Sequence, residues 1–210
     1  FTAYHSGIKT NTKHDILINA LEFDTNGILW IGTWGNGLAC FNTMQKKYLL
    51  QKINPSPGIV YDLKRVNDSI IYAACLNEGL FSLHIHTGKF INITPPRNAA
   101  DLTSMQPNIQ KVSLTPDAGI FVGGNYYVYQ QHPAYTRLKK SLTFPSSVKT
   151  KGMIELNNFI WDEKRQQYWL ATTDGNGLYT LDKTEKKLSS LHYECGASNS
   201  IAYFHDLVKD

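Results

Sequence analysis

The strongest constraint on the fold of this 210-residue chain is a phrase of sequence that occurs twice and returns twice more in weaker form. The two fuller copies are ILWIGTWGNGLACFN at 28–42 and QYWLATTDGNGLYTLD at 167–182, and degenerate copies lie at 60–84 and 109–130. Their aromatic anchors are Trp30, Tyr72, Phe121 and Trp169, at spacings of 42, 49 and 48 residues. Self-similarity at this period predicts a repeat architecture in which each unit packs against its neighbours.

Each copy has the pattern of β-structure. Runs of about four to eight residues rich in aliphatic and aromatic side chains alternate with turn signals such as DTNG, TPDAG and GNG. Asn-Gly and Asp-Gly pairs tolerate the positive φ of tight hairpins, and the repeat shows no convincing helical stripe of apolar residues. Four antiparallel strands per unit are typical of a β-propeller blade. The aromatic anchor would then fill the space between adjacent sheets.

We therefore predict an all-β fold, a β-propeller segment of about four four-stranded blades plus partial blades at both ends. The blades are expected at 14–53, 57–94, 108–143 and 152–193, with an outer strand at 1–6 and the inner strand of a further blade at 199–210. Four units plus fragments leave open sheet faces and edges. We expect the remaining blades of the same protein, or a second copy of the chain, to cover them.

The outer copies resemble a known repeat. Residues 24–38 read D-x-x-G-x-L-W-I-G-T-x-G-x-G-L, and residues 162–178 follow this pattern with a longer turn and Ala171 in place of one glycine. The pattern resembles the two-component regulator propeller repeat, which builds the extracytoplasmic sensor region of hybrid two-component systems in Bacteroides-type gut bacteria. The middle copies depart from it: Cys75 replaces the threonine, and the third copy lacks the Gly-Leu pair.

The resemblance implies a non-catalytic periplasmic sensor that recognises glycan-derived oligosaccharides. The chain starts at Phe1 without an apolar signal segment, so we expect a processed or excerpted chain. No window reaches the roughly 18 apolar residues of a membrane span. A link to an inner-membrane kinase would therefore be made through a downstream segment.

Candidate ligand-binding residues lie in the loops between the second and third strands of each blade, which share one face around the channel of a propeller. They are Trp34, Asn36, Asn77, Glu78, Asn125, Tyr126, Asp174 and Asn176. Aromatic rings beside amides and carboxylates suit sugars, which present C–H patches ringed by hydroxyls. Turn geometry alone favours Asn and Asp here but does not explain an indole, so Trp34 is the best candidate. A packing role between blades stays open for Trp34.

Other functions have little support in the sequence. No G-x-S-x-G, H-E-x-x-H, P-loop or Rossmann motif is present, and the three cysteines are widely spaced. The net charge of +4 includes lysine pairs, two of which recur at the same position of the repeat, so nucleic acid is not expected as a partner. His84 and His86 are interpreted as a solvated strand end rather than a metal pair. We predict no metal and no cofactor.

Two alternatives to a sensor remain at this point. A propeller lyase or hydrolase would need a histidine and a carboxylate that converge on the channel mouth, and His14 or His205 could supply the histidine. A protein–protein scaffold would instead present an apolar face without a ligand site.

Overall fold

The computed structural model describes residues 17–49, 58–94, 109–114, 120–124, 127–131, 139–143, 156–172, 178–182 and 188–191. Within these ranges the chain forms sixteen β-strands and no helix. The strands make four four-stranded sheets, and each sheet keeps its strands in sequence order. The expected partial blades at 1–6 and 199–210 lie outside the described residues.

Each sheet is a meander of consecutive strands. Sheet 1 contains β1 (Ile18–Phe23), β2 (Ile28–Thr33), β3 (Leu38–Asn42) and β4 (Lys47–Leu49). Sheet 2 contains β5 (Val60–Arg65), β6 (Ile70–Cys75), β7 (Gly79–His84) and β8 (Lys89–Asn92). Sheet 3 contains β9 (Ile109–Leu114), β10 (Ile120–Gly124), β11 (Tyr127–Gln131) and β12 (Lys139–Thr143). Sheet 4 contains β13 (Leu156–Asp162), β14 (Gln167–Thr172), β15 (Leu178–Asp182) and β16 (Leu188–Leu191).

The chain divides into two compact units, Phe1–Val112 and Ser113–Asp210, so the division falls within β9. Sheets 1 and 2 lie in the first unit, and sheet 4 lies in the second.

The core of the first unit lies between sheets 1 and 2. We call the side of sheet 1 that turns toward sheet 2 its front side; it carries Ala20, Trp30, Leu38 and Cys40. The facing side of sheet 2, its back side, carries Val60, Leu63, Ile71, Ala73, Phe81 and Leu83. Trp30 is 1% exposed at the centre of this interface. The predicted role of the aromatic anchor, to fill the space between adjacent sheets, is confirmed for Trp30.

An aspartate in the first turn of a blade holds the anchor tryptophan. The Oδ1 atom of Asp24 accepts hydrogen bonds from the backbone amides of Asn26 (2.8 Å) and Ile28 (3.0 Å). Its Oδ2 atom accepts a third bond from the indole Nε1 of Trp30 (3.2 Å). Asp162 repeats the indole bond with Trp169 at the same distance. A buried indole N–H needs a partner, and the turn aspartate supplies it.

The Gly-Leu pair of the repeat performs the tight turn that its sequence predicts. Gly79 has a φ of +95°, a region that side-chain-bearing residues rarely adopt. The next residue, Leu80, is fully buried, and its backbone amide donates to the Thr94 hydroxyl at 2.8 Å. The pair therefore turns the chain and returns an apolar side chain to the core.

Polar bonds tie the first strands of neighbouring sheets within the first unit. The side-chain amide of Asn19 on β1 donates to the carbonyl of Val60 on β5 (3.1 Å). The backbone amide of Val112 on β9 donates to the carboxylate of Asp62 on β5 (2.9 Å). These bonds fix β1 relative to β5, and β5 relative to the Val112 position of β9.

Candidate functional site

A short segment at the start of β5 lies between two of the candidate loops. Ile59 forms an isolated antiparallel bridge with Trp34, and the backbone amide of Gly37 donates to the carbonyl of Gly58 (3.2 Å). On the other side, the backbone amide of Leu76 donates to the carbonyl of Ile59 (3.0 Å). The loop between β2 and β3 and the loop between β6 and β7 are therefore joined through this segment.

Trp34 is held by its backbone while its side chain remains accessible. Its amide donates to the carbonyl of Leu17 (2.9 Å), and the residue is 46% exposed. Its ring meets that of Tyr61 edge-on, with centroids 5.7 Å apart and an interplanar angle of 79°. Edge-to-face packing of two aromatic rings is favourable and fixes their orientation. The pair forms an aromatic corner where sheet 1 meets sheet 2.

A β-bulge places Tyr61 in this corner. The register between β5 and β6 shifts between Val60 and Asp62, so that Tyr61 is the extra residue. Sheets 1 and 4 have the same shift at Asn19 and Asn157. Bulges redirect a side chain and are frequent beside functional sites. Tyr61 is absent from the sequence candidates; aligning the start of each copy would have identified it, because it occupies the position of Asn19.

Glu78 completes the corner from the second loop. One carboxylate oxygen, Oε1, accepts the backbone amide of Gly58 at 3.0 Å, and the side chain is partly exposed. Its own backbone carbonyl accepts the side-chain amide of Asn92 (2.8 Å). The carboxylate is thus oriented by the segment that also bridges to Trp34.

The two asparagine candidates of these loops have turn roles. Asn77 has a φ of +59°, the left-handed conformation that asparagine tolerates better than most residues. The backbone amide of Asn36 donates to the Thr33 hydroxyl (3.1 Å), and that hydroxyl donates to the carbonyl of Gly37 (2.8 Å). Both residues are exposed, in the two loops that the Gly58–Ile59 segment joins.

Several sequence candidates lie outside the described residues. They are Asn125, Tyr126, Asp174 and Asn176 of the ligand-binding set, with His14 and His205 of the catalytic alternative. The structure thus brings together Trp34, Asn36, Asn77 and Glu78, the candidates of the first two copies.

The histidines and cysteines of the described ranges are poorly placed for metal binding or nucleophilic catalysis. His84 and His86 are exposed, with ring centroids 6.4 Å apart, and no cluster of three or more His, Cys, Asp or Glu in the described ranges is placed to hold a metal ion. Burial, together with the charge of Asp24, raises the pKa of the Cys40 thiol to about 11. Burial raises the pKa of Cys75 as well. Both cysteines are protonated at neutral pH and are poor nucleophiles.

A hollow of about 260 Å³ lies at the opposite end of β2 from Trp34. It opens beside Asp24 and Trp30 and is bounded by Ile85 and His86. The carboxylate of Asp24 is already engaged by three donors. The aromatic corner, with its accessible indole and partly exposed carboxylate, is therefore the better candidate for a ligand.

No protein-family model and no curated protein sequence matches the chain. Solved structures do match it. The extracellular domain of the hybrid two-component system BT4673 from B. thetaiotaomicron has a TM-score of 0.70 at 18% identity, over 93% of this chain and 25% of that one. The extracellular domain of BT3049 from the same organism has a TM-score of 0.68 at 13% identity, over 92% of this chain and 24% of that one. The computationally designed protein Ika4 has a TM-score of 0.55 at 13% identity, over 85% of this chain and 94% of that one.

The two natural neighbours are of the protein class that the repeat pattern resembles. At these identities the likeness establishes the fold, and this chain spans about a quarter of the length of the natural neighbours. The predicted fold class, an all-β propeller segment built of four-stranded blades, is confirmed. In the described part of the chain there is no helix long and apolar enough to cross a membrane.

Proposed function

We propose that this chain is a ligand-recognition segment in the extracytoplasmic sensor region of a hybrid two-component signalling protein, and that its ligand is an oligosaccharide. Two observations support the proposal. The fold is shared with the extracellular domains of two such systems. The aromatic corner of Trp34 and Tyr61 is connected to the carboxylate of Glu78 through Gly58 and Ile59, and aromatic rings together with a carboxylate suit a sugar.

The observation that carries the proposal is the accessible indole of Trp34. Trp34 is 46% exposed, so part of its ring is accessible to a ligand, and its backbone is fixed on two sides, by Leu17 and by Ile59. A fixed aromatic surface loses little entropy on binding. The C–H face of a pyranose would pack on this ring, and its hydroxyls would donate to the Glu78 carboxylate.

The position of the corner gives a route from binding to signalling. Trp34 directly follows β2 of sheet 1, whereas Tyr61 lies in β5 of sheet 2 and Glu78 directly precedes β7 of that sheet. A ligand that contacts all three would favour one arrangement of the two blades over others. A signal of this kind needs only a difference in affinity between two arrangements. In this proposal the segment has no catalytic role, and a membrane-anchored kinase would lie in other parts of the protein.

The test is binding of a panel of plant and host oligosaccharides, followed through the indole N–H resonances in ¹⁵N-correlated spectra. We expect one glycan class to shift the Trp34 resonance, and Trp34→Ala to weaken its binding by at least about tenfold, which corresponds to about 1.4 kcal/mol. Met44→Ala is the matched control, because Met44 is 85% exposed on the turn between β3 and β4, away from the corner. Binding that survives Trp34→Ala, or a panel without a single binder, would refute the proposal.

A further inference from the structure

The negative charge of Glu78 is not neutralised by a neighbouring cation in the part of the chain that the structure describes. Two other carboxylates of the first unit do have such a partner. Asp62 lies 3.7 Å from the ammonium group of Lys111, and Asp68 lies 4.0 Å from the guanidinium group of Arg65. Among the described residues, no lysine, arginine or histidine side chain forms an ion pair with Glu78. Its carboxylate therefore presents an uncompensated charge directly before β7.

A hydrogen bond holds this charge on the segment that carries the aromatic corner. One oxygen of Glu78, Oε1, accepts the backbone amide of Gly58 at 3.0 Å, and within the described ranges the other oxygen accepts no donor. Gly58 precedes Ile59, whose antiparallel bridge with Trp34 brings their Cα atoms to about 5 Å. Along this path of contacts the carboxylate lies within about 14 Å of the Cα atom of Trp34.

The charge of Glu78 already acts on another group of the same loop. After burial, it is the second cause that raises the pKa of the Cys75 thiol. An anion brought to the aromatic corner would meet the same field. Exposed charges are screened over about 8 Å at physiological ionic strength but over about 30 Å at 0.01 M, so the repulsion is strongest in dilute salt.

An uncharged sugar and an acidic sugar differ in a way that this carboxylate distinguishes. A hydroxyl group donates a hydrogen bond to a carboxylate oxygen, whereas a uronate or sulfate group offers only acceptors and a negative charge. The net charge of +4 attracts an acidic glycan to the protein as a whole. Discrimination against such a glycan therefore has to come from a local charge.

We propose that Glu78 determines the class of glycan that the aromatic corner accepts: an uncharged oligosaccharide binds, and a chain with a uronate or sulfate group at this position is rejected. This inference rests on the proposed function of the corner. It gives Glu78 a role in specificity in addition to its hydrogen bond with Gly58.

Titrations of the full chain with matched oligosaccharide pairs test the proposal at an ionic strength of about 0.01 M. For a hexose chain the acidic member is the same oligosaccharide oxidised at C6 to the uronate, and for a xylo-oligosaccharide it is the glucuronate-substituted chain. We expect the wild type to bind the uncharged member at least about fivefold more tightly, the size expected for two unit charges about 10 Å apart near a protein surface. In about 0.5 M NaCl the ratio should fall to about twofold or less.

Glu78→Gln identifies the source of the discrimination. Its amide oxygen can still accept the Gly58 amide and the side chain keeps its length, but the charge is lost. The affinity ratio at low salt should therefore fall to about twofold or less. An unshifted Trp34 indole resonance in the unliganded variant shows that the corner is intact; if that resonance shifts, the salt dependence of the wild-type ratio decides.

Asp68→Asn is the matched control for net charge. It also removes one negative charge, from a side chain that is 82% exposed in the turn after β5, and it should leave the ratio unchanged.

Several results would overturn this inference while the proposed function stands. One is a wild type that binds the acidic member as tightly as the uncharged one. Others are a ratio that salt does not reduce, a ratio that an intact Glu78→Gln corner does not reduce, and a ratio that Asp68→Asn reduces equally. Pairs of which neither member binds would instead refute the proposed function, and this inference with it, so the two failures are distinguishable.

Discussion

The contribution of the hydrogen bond between Asp24 and Trp30 to the free energy of unfolding can be measured. The carboxylate accepts and the indole donates, so each role can be removed by a separate substitution. Asp24→Asn preserves the shape of the side chain. Its amide oxygen can still accept the backbone amides of Asn26 and Ile28, but its NH₂ group then faces the indole N–H. Two donors face each other, and the indole of Trp30 loses its acceptor in a fully buried position.

The structure sets the size of this effect. An unsatisfied buried donor costs about 1–3 kcal/mol. We expect Asp24→Asn to lower the free energy of unfolding by about 2 kcal/mol. Trp30→Phe removes the donor and also leaves a small cavity. In the Trp30→Phe background, Asp24→Asn should therefore cost less, and the coupling energy of the double-mutant cycle should be about 1–2 kcal/mol.

The assay is a urea titration followed through the indole resonance of Trp34. This residue follows β2 directly, is present in all four variants and reports on the sheet that contains the bond. Asp162 and Trp169 form a comparison pair, since Asp162 also accepts the guanidinium of Arg165 (3.1 Å) at a more exposed site. The hydrogen bond from the Trp169 indole, together with those from Arg165, lowers the pKa of Asp162. The coupling energy between Asp162 and Trp169 should be smaller than that between Asp24 and Trp30, because Asp162 lies at the more exposed site. A coupling energy near zero at Asp24 would refute this reasoning.

Two further expectations concern single positions. Gly79→Ala should lower the free energy of unfolding by about 2–4 kcal/mol, because it combines a strained positive φ with a clash against the Thr94 side chain. Gly35→Ala, at the same φ with no atom nearby, should show the cost of the strain alone. Equal costs for the two substitutions would exclude the clash. Burial raises the pKa of Asp62 despite the charge of Lys111, so the folded state favours the protonated carboxyl. The stability that this protonated carboxyl contributes is fully present below the unfolded pKa of about 3.8 and is lost as pH rises through the folded pKa. Asp62→Asn should therefore gain in melting temperature relative to the wild type as pH rises from 4 toward neutrality; a gain on acidification would contradict the assignment.

The blades could be predicted from the sequence because their signal is local. The anchors Trp30 and Tyr72 lie in short apolar runs bounded by turn signals, and both are buried in the structure. The turn at Gly79 is likewise determined by residues adjacent in sequence. Each of these features depends on a few neighbouring side chains, so a repeated pattern is sufficient to identify it.

The roles of Asp24 and Tyr61 could not be predicted in the same way. Asp24 was part of the repeat pattern, but turn chemistry alone explains an aspartate at that position, and its bond to an indole six residues later depends on the twist of the hairpin. Tyr61 faces Trp34 because hydrogen bonds from two loops, about 20 residues away on either side, fix Ile59 and leave one extra residue in β5. Contacts of this kind depend on tertiary packing.

The bulge nevertheless follows a rule that extends beyond Tyr61. In sheets 1, 2 and 4 the first strand has a register shift near its start, at Asn19, Tyr61 and Asn157. Asn19 uses its amide to bind the next sheet, and Tyr61 uses its ring to orient Trp34. The same backbone irregularity therefore provides one side chain outside the regular pairing in each of these three sheets. Differences in ligand preference among propellers of this kind should accordingly be concentrated at the bulge residue and at the loop after the second strand.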